Sequence, residues 1–349
     1  LTSRDDKALV ESVFQRPFQF SLSVLSVSSV VKDIEVSMKR FFAKHSPLFI
    51  LAALCIVLAV YSEDFREPKN LQTVAGRAAT IGVIAIGQLL VILTAGIDLS
   101  VGSVAALSGV VGCLAMKSGV PMPLGVLAGC AVGMFCGSIS GTLVAKGKIP
   151  PFIVTLGMMM VARGLALLLS GGMSITGLPA SLSWLSETKD WRIPVVIALV
   201  LCFICTIMLR YTRFGRSLYA IGGNKPAARL SGIPVDRVLI MAYTLCGLLA
   251  GFGGMMLAAK TSIGSPTAAE MYELDTIAAC VIGGASLMGG EGGAIASIAG
   301  ALIMFVLRNF CSLENLPPYW QKIIVGVLII ALVYYDNMRK RRAGLLKAD

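Results

Sequence analysis

Apolar residues along this chain come in long blocks, and polar residues fall in short clusters between them. The blocks run well past the four to eight residues of a buried strand, so they read as helices. They cover residues 46–62, 73–95, 100–117, 123–145, 151–170, 194–210, 238–259, 275–288, 293–311 and 319–336. Most approach the roughly 20 residues that carry a helix across a bilayer. The blocks at 100–117 and 275–288 are short and glycine-rich, the pattern of half-helices or re-entrant pieces. The pattern predicts an all-α, polytopic membrane protein with about ten transmembrane helices, some of them broken or short.

Composition strengthens that picture. The chain has 349 residues, of which 56% are hydrophobic and 14% charged, against roughly 45–50% and 25% in a soluble domain. One aqueous core cannot absorb the excess, because soluble cores stop growing near ~250–300 residues. The net charge of +11 reads first as positive-inside topology rather than nucleic-acid binding. With the N-terminus inside, the inner segments carry Lys32, Lys39, Arg40 and Lys44, then Lys146 and Lys148. They go on to carry Arg213, Arg216, Lys225, Arg229 and Arg237, and finally Arg339, Lys340, Arg341 and Arg342. The other side carries a thinner, acid-mixed set: Glu63, Asp64, Arg66, Glu67 and Lys69, then Glu187, Lys189, Asp190 and Arg192, then Lys260, Glu270 and Glu273. An even number of spans places both termini in the cytoplasm. The expected organisation is a cytoplasmic tail over 1–43, a transmembrane domain over 44–338 with an inner loop at 211–237, and a basic tail over 339–349. The first 43 residues lack the order of regions that marks a signal peptide.

Candidate chemistry is sparse. The nine cysteines lie mostly within apolar blocks. Cys202 and Cys205 form a C-x-x-C on a hydrophobic helix without βαβ context, so they read as small buried hydrophobes. The sole histidine, His45, sits beside Lys44 at the first membrane boundary and cannot build a His-rich metal site. There is no Walker motif, no metal-ligand spacing and no Ser-His-Asp set. The chain is therefore expected to hold no catalytic residues, metal or cofactor, and energy for any uphill work must enter elsewhere.

Three stretches place polar groups at membrane depth. In "LTAGIDLSVGS", Asp98 is either an N-cap for the following helix or a polar element lining a pathway. In "PPFIVTLGMMMVARGLALL", Arg163 would cost ~2.5–3.5 kcal/mol facing lipid. It should face the bundle, a partner subunit or water, paired with helix-end carbonyls or a carboxylate, or lining a path. In "MYELDTIAACVIGGASLMGGEGG", the glycines read as a tight turn between packed helices. Glu273 and Asp275 either cap the following helix or meet an extracytoplasmic partner, with capping favoured. Gly125, Gly129, Gly133, Gly137 and Gly141 recur every four residues, a packing signal in lipid. Pro-Pro-aromatic starts at "IPPF" and "LPPYW", each downstream of an acidic-apolar turn, read either as an inverted repeat of transporter type or as a chance match.

The segment "RFGRSLYAIGGNKPAARLSGIPVDR" stands apart. Asn224 is a helix N-cap, Pro226 lies in the first turn and Gly232 is a stop. Gly222 and Gly223 read as a hinge before it. The result is a helix of about two turns, too short to be stable alone in water, so it needs a docking surface. That surface is either anionic lipid or a groove on a cytoplasmic partner.

"TRFGRSLYAIGGNKPAARLSGI", "VILTAGIDLSVGSVAALSG", "IPPFIVTLGMMMVARG" and "YELDTIAACVIGGASLMGGEGG" resemble, in order, stretches of ribose-type ABC sugar importer permeases. The resemblance covers about residues 46–338. It implies a multi-pass permease of the bacterial inner membrane that pairs with a second copy. A cytoplasmic ATP-binding subunit would hold ATP and Mg, and a periplasmic binding protein would deliver a small sugar. The resemblance would place Gly222, Gly223, Asn224, Lys225, Ala228, Arg229, Leu230 and Gly232 at the ATPase contact. Gln88, Asp98, Phe152, Thr155, Met159, Arg163 and Asp275 are the candidates for the substrate path. Two other readings stay open. An ion-coupled secondary transporter would need carboxylates or histidines in mid-membrane, whereas the acids here cluster at block ends. A receptor or structural component without transport fits an intramembrane arginine less well.

Overall fold

The computed structural model describes residues 46–342. Residues 1–43, His45 and residues 343–349, on which expectations about the two tails fall, lie outside the described residues. The chain divides into two units, Leu1–Ser46 and Pro47–Asp349, and the second contains the apolar bundle.

Each apolar block contains a helix. In chain order they are α1 (Ser46–Tyr61), a single turn α2 (Glu63–Arg66), α3 (Pro68–Ile92), α4 (Val101–Lys117), α5 (Met122–Ala145) and α6 (Pro151–Ser170). A short 3₁₀ turn at Ala180–Leu185 leads to α7 (Arg192–Tyr211), α8 (Arg213–Gly223), α9 (Lys225–Leu230) and α10 (Val235–Thr261). The chain closes with α11 (Tyr272–Ile282), α12 (Ala294–Leu313) and α13 (Pro318–Arg342). Among the described residues α3, α5, α6, α7, α10 and α12 are long and apolar enough to cross a membrane.

Length sorts the helices physically. The 25 residues of α3 make about 37 Å, more than the ~30 Å hydrocarbon layer. The 17 residues of α4 and 11 of α11 make only about 25 and 16 Å. Proline opens α3, α5 and α6 at the first turn, where its missing N–H would have no helical partner. The α3 boundary falls at Ile92 rather than residue 95, because Ala95 adopts φ +60° before Gly96. Likewise α11 starts at Tyr272, after Met271 at φ +69°, and stops at Ile282, six residues short of the expected end. The turn that follows holds Gly284, Gly289, Gly290 and Gly292, all at positive φ.

The centre of the bundle is α3. Its residues from Ala78 to Ile92 are buried without interruption, as expected of a helix apolar on every side. Around it pack α7, α10, α11 and α12. The outer helices α6 and α7 expose apolar ridges, including Met160, Leu168, Phe203 and Ile204. The largest helix–helix seam joins α5 to α10. The stripe Gly133, Gly137 and Gly141 lies on it, facing Gly247, Tyr243 and Ile240. Toward the start of α5 the stripe also meets α4: a methyl on Gly125 would stand 3.1 Å from Gly112 O, and one on Gly129 would meet both Met255 of α10 and Ser108 O of α4.

Candidate functional site

Polar groups gather in three places. The first is the break between α3 and α4, over residues 93–100. Irregular backbone here leaves peptide groups without helical partners, and buried side chains satisfy some of them. Asp98 is only 1% exposed. Its Oδ1 accepts the backbone N–H of Ser100 at 2.8 Å and the Ser100 hydroxyl at 2.6 Å. Gln88, fully buried on α3, faces the Asp98 peptide with its amide. Oriented to suit both groups, it donates to Asp98 O at 3.1 Å and accepts from Asp98 N at 3.2 Å. Thr155 Oγ1 on α6 donates to Ile97 O at 3.2 Å. Tyr243 of α10 is fully buried against Gly96. Three expected path residues, Gln88, Asp98 and Thr155, therefore meet here, and their bonds hold a broken helix in shape.

The second place is the bundle end carrying the 171–191 and 262–271 loops, which a two-residue bridge between Ile175 and Gly264 joins. Arg163 Nη1 donates to Pro266 O at 2.6 Å and Ala268 O at 2.9 Å, so the arginine ties α6 to the second loop. A cavity of about 360 Å³ opens beside that loop, lined by Ala105, Gly254, Lys260, Ser265, Ala269 and Tyr272 among others. Lys260 Nζ stands 3.2 Å from the buried Glu187 carboxylate.

Asp275 departs from the capping expectation. It is 4% exposed, and Arg308 of α12 grips both its carboxylate oxygens at 2.8 and 2.5 Å. The physical reason is burial: a carboxylate out of water needs a cation more than a free N–H can supply. Next to Arg308, Asn309 exchanges two amide bonds with Asn70 of α3, at 2.7 and 3.0 Å. Arg308 escaped the sequence reading, although an arginine within "ALIMFVLRNF" is the same signal that marked Arg163. Replacing Arg308 by methionine should destabilise the protein by about 3–5 kcal/mol, because it strands a buried charge. Thermal unfolding in detergent measures this. The double variant Asp275→Asn/Arg308→Met should recover much of the loss, and a double variant no better than Arg308→Met would show that the pair is not what stabilises the site.

The remaining path candidates do not join these clusters. Phe152 is exposed on the outside of α6, and Met159 is half-buried on the same helix.

The third place is the segment between α7 and α10. Thr212 caps α8, its Oγ1 accepting Gly215 N at 3.1 Å. Asn224 caps α9, its Oδ1 accepting Ala227 N at 2.9 Å. The six-residue α9 ends with Gly232 at φ +80°, where Gly232 N and Ile233 N bond back to Arg229 O and Ala228 O, both at 3.1 Å. Lys225 and Leu230 are exposed, and Leu230 is 91% so. Ala228 is buried beneath them. Arg229 Nη2 pairs with Asp236 Oδ1 at 2.7 Å, within the segment itself. Gly222 and Gly223 are not a hinge: both belong to the last turn of α8. Gly222 is glycine because backbone from two other segments packs directly on it. Tyr219 donates its hydroxyl to Gly292 O at 2.8 Å, and burial pushes this phenol above its ordinary value, so it stays a donor.

Residues 70–333 match the family model described as "Branched-chain amino acid transport system / permease component". The ribose import permease protein RbsC of Bacillus subtilis is 41% identical over 300 residues, covering 85% of this chain and 93% of the relative. RbsC of Escherichia coli K12 is 37% identical over 316 residues, covering 87% and 98%. The fructose import permease protein FrcC of Rhizobium meliloti is 37% identical over 311 residues, covering 85% and 86%. No solved structure is significantly similar to this chain. Among the described residues six helices are long and apolar enough to cross a membrane, and the chain belongs to the ribose-type ABC importer permease family, as a transport subunit and not an enzyme.

Proposed function

We propose that the chain forms the membrane path of an importer that moves a small sugar into the cell, driven by ATP hydrolysis in a partner. The observation that carries this reading is α9: a short, capped helix presenting an almost fully exposed leucine beside Lys225 on a bundle end. An isolated helix of six residues is not stable in water, and its apolar tip asks for a groove. A cytoplasmic ATP-binding subunit supplies it, with ATP and Mg on that subunit. The positive charge of the α8–α9 segment and of the α13 end supports a cytoplasmic side for both, and on this reading both termini lie there. A periplasmic binding protein then meets the opposite end, where the 171–191 and 262–271 loops lie.

On this reading ten helices cross or enter the bilayer of the bacterial inner membrane, with α4 and α11 as half-helices. Each of these adjoins an irregular break, at 93–100 and 283–293. The pair of broken helices supports the inverted-repeat reading, since transporter repeats place discontinuous helices in corresponding positions. Two copies of the chain frame the path. The relatives import ribose and fructose, and a pentose, hexose or polyol of that size is the substrate class.

Thermal shift of the cognate binding protein against ribose, fructose, arabinose, xylose and inositol tests the substrate class. Stabilisation by one of these sugars is the expected result. Stabilisation by a branched-chain amino acid and by no sugar would overturn it.

A further inference from the structure

The end of α8 sits where the two helix breaks meet. Gly290 N, in the turn after α11, donates to Leu93 O, in the turn after α3, at 3.0 Å. A methyl on Gly222 would fall well inside van der Waals contact of both bonded atoms. The approach is close from the other side too. A methyl on Gly289 would stand 2.8 Å from Gly222 Cα and 2.7 Å from Ala95 N. One turn earlier on α8, the Tyr219 hydroxyl holds Gly292 O. Gly222 is also only two residues from Asn224, the cap of α9. A single rigid helix therefore links the exposed α9 to both breaks, with no side chain between its backbone and theirs.

We propose that Gly222 and Tyr219 are the positioning residues that couple the partner's ATP hydrolysis to the two broken helices. This rests on the reading of α9 as the ATPase contact. Displacement of α9 moves α8 as a unit. Backbone packed on backbone transmits that movement without the slack of a rotatable side chain, because packed contacts shift between discrete arrangements rather than deform smoothly. The Leu93–Gly290 bond makes both breaks respond together. An added methyl at 222 would prise α8 off that bonded pair and leave α9 free to move without them.

The test uses the complete complex of this chain, its ATPase and its binding protein, reconstituted in proteoliposomes. The readout is labelled sugar taken up per ATP hydrolysed, with ribose, fructose, arabinose or xylose chosen by the binding-protein panel. This ratio sets uptake against the hydrolysis measured in the same vesicles. Gly222→Ala is expected to lower sugar per ATP about tenfold. Tyr219→Phe, which removes one hydroxyl, should lower the ratio about threefold. Gly157→Ala, in open space on α6, should keep the wild-type ratio. Wild-type ratios in both Gly222→Ala and Tyr219→Phe would overturn the coupling contact and leave ATP-driven import standing. If Gly222→Ala fails to assemble, an unchanged ratio in Tyr219→Phe overturns it alone. A wild-type complex whose uptake ignores ATP would instead remove the importer reading.

Discussion

Combining Asn224→Pro with Arg229→Glu is expected to cut ATP-driven uptake to background while the chain still inserts. Asn224 holds both ends of the joint between α8 and α9. Its N–H donates to Ala220 O at 3.0 Å and its side chain caps Ala227 N. Proline has neither group, and its ring also disfavours the helical conformation of Gly223 before it. Loss of such a cap costs about 1 kcal/mol, which is large for a helix of six residues. Arg229→Glu then sets a carboxylate where the guanidinium pairs with Asp236, so attraction turns to repulsion. Both side chains are exposed, and of α9 only Ala228 is buried, so the bundle itself keeps its contacts. Membrane levels should match wild type, and the ATP-binding subunit should no longer co-purify. Normal co-purification and uptake in this variant would remove α9 from the power-transmitting role.

A second large effect is expected from Gly137→Val. Gly137 packs against the Tyr243 carbonyl of α10, and its neighbour Gly133 packs against the Gly247 carbonyl. The added side chain meets backbone, which cannot turn aside as a side chain would. Two membrane helices forced apart lose close packing, and lipid offers no hydrophobic force to bring them back. Overpacking costs up to about 3 kcal/mol even where side chains can adjust, and here they cannot. Gly137→Val should lose its monodisperse peak in detergent size-exclusion chromatography. Gly164→Val, with open space around it on α6, should elute as wild type. Equal behaviour of the two variants would show that the α5–α10 seam does not rest on glycine.

How much of this was legible in the sequence depends on whether the cause is local. Every apolar block contains a helix, because burial of a continuous apolar surface needs only composition and length. The caps at Asn224 and the stop at Gly232 were readable for the same reason: the chemistry lies within three or four residues. The breaks were not placed to the residue. Ala95 and Met271 adopt positive φ, and nothing in their own identity signals it. Gly222 was misread as a hinge on similar grounds. A small residue announces that something comes close or something bends, and only the fold says which. Asp275 looked like a cap because its partner, Arg308, is 33 residues away. The candidate path residues divide in the same manner. Gln88, Asp98 and Thr155 converge on one break, Arg163 and Asp275 hold the other bundle end, and Phe152 faces outward.

The account stands or falls on what drives sugar movement. Proteoliposomes containing this chain, its ATP-binding subunit and its binding protein should accumulate labelled ribose, or whichever panel sugar the binding protein selects, when ATP reaches the ATPase. Uptake should continue unchanged when ionophores collapse the proton and sodium gradients, and stop when ATP is replaced by a non-hydrolysable analogue. Accumulation that persists without ATP hydrolysis and disappears with the ion gradients would contradict it.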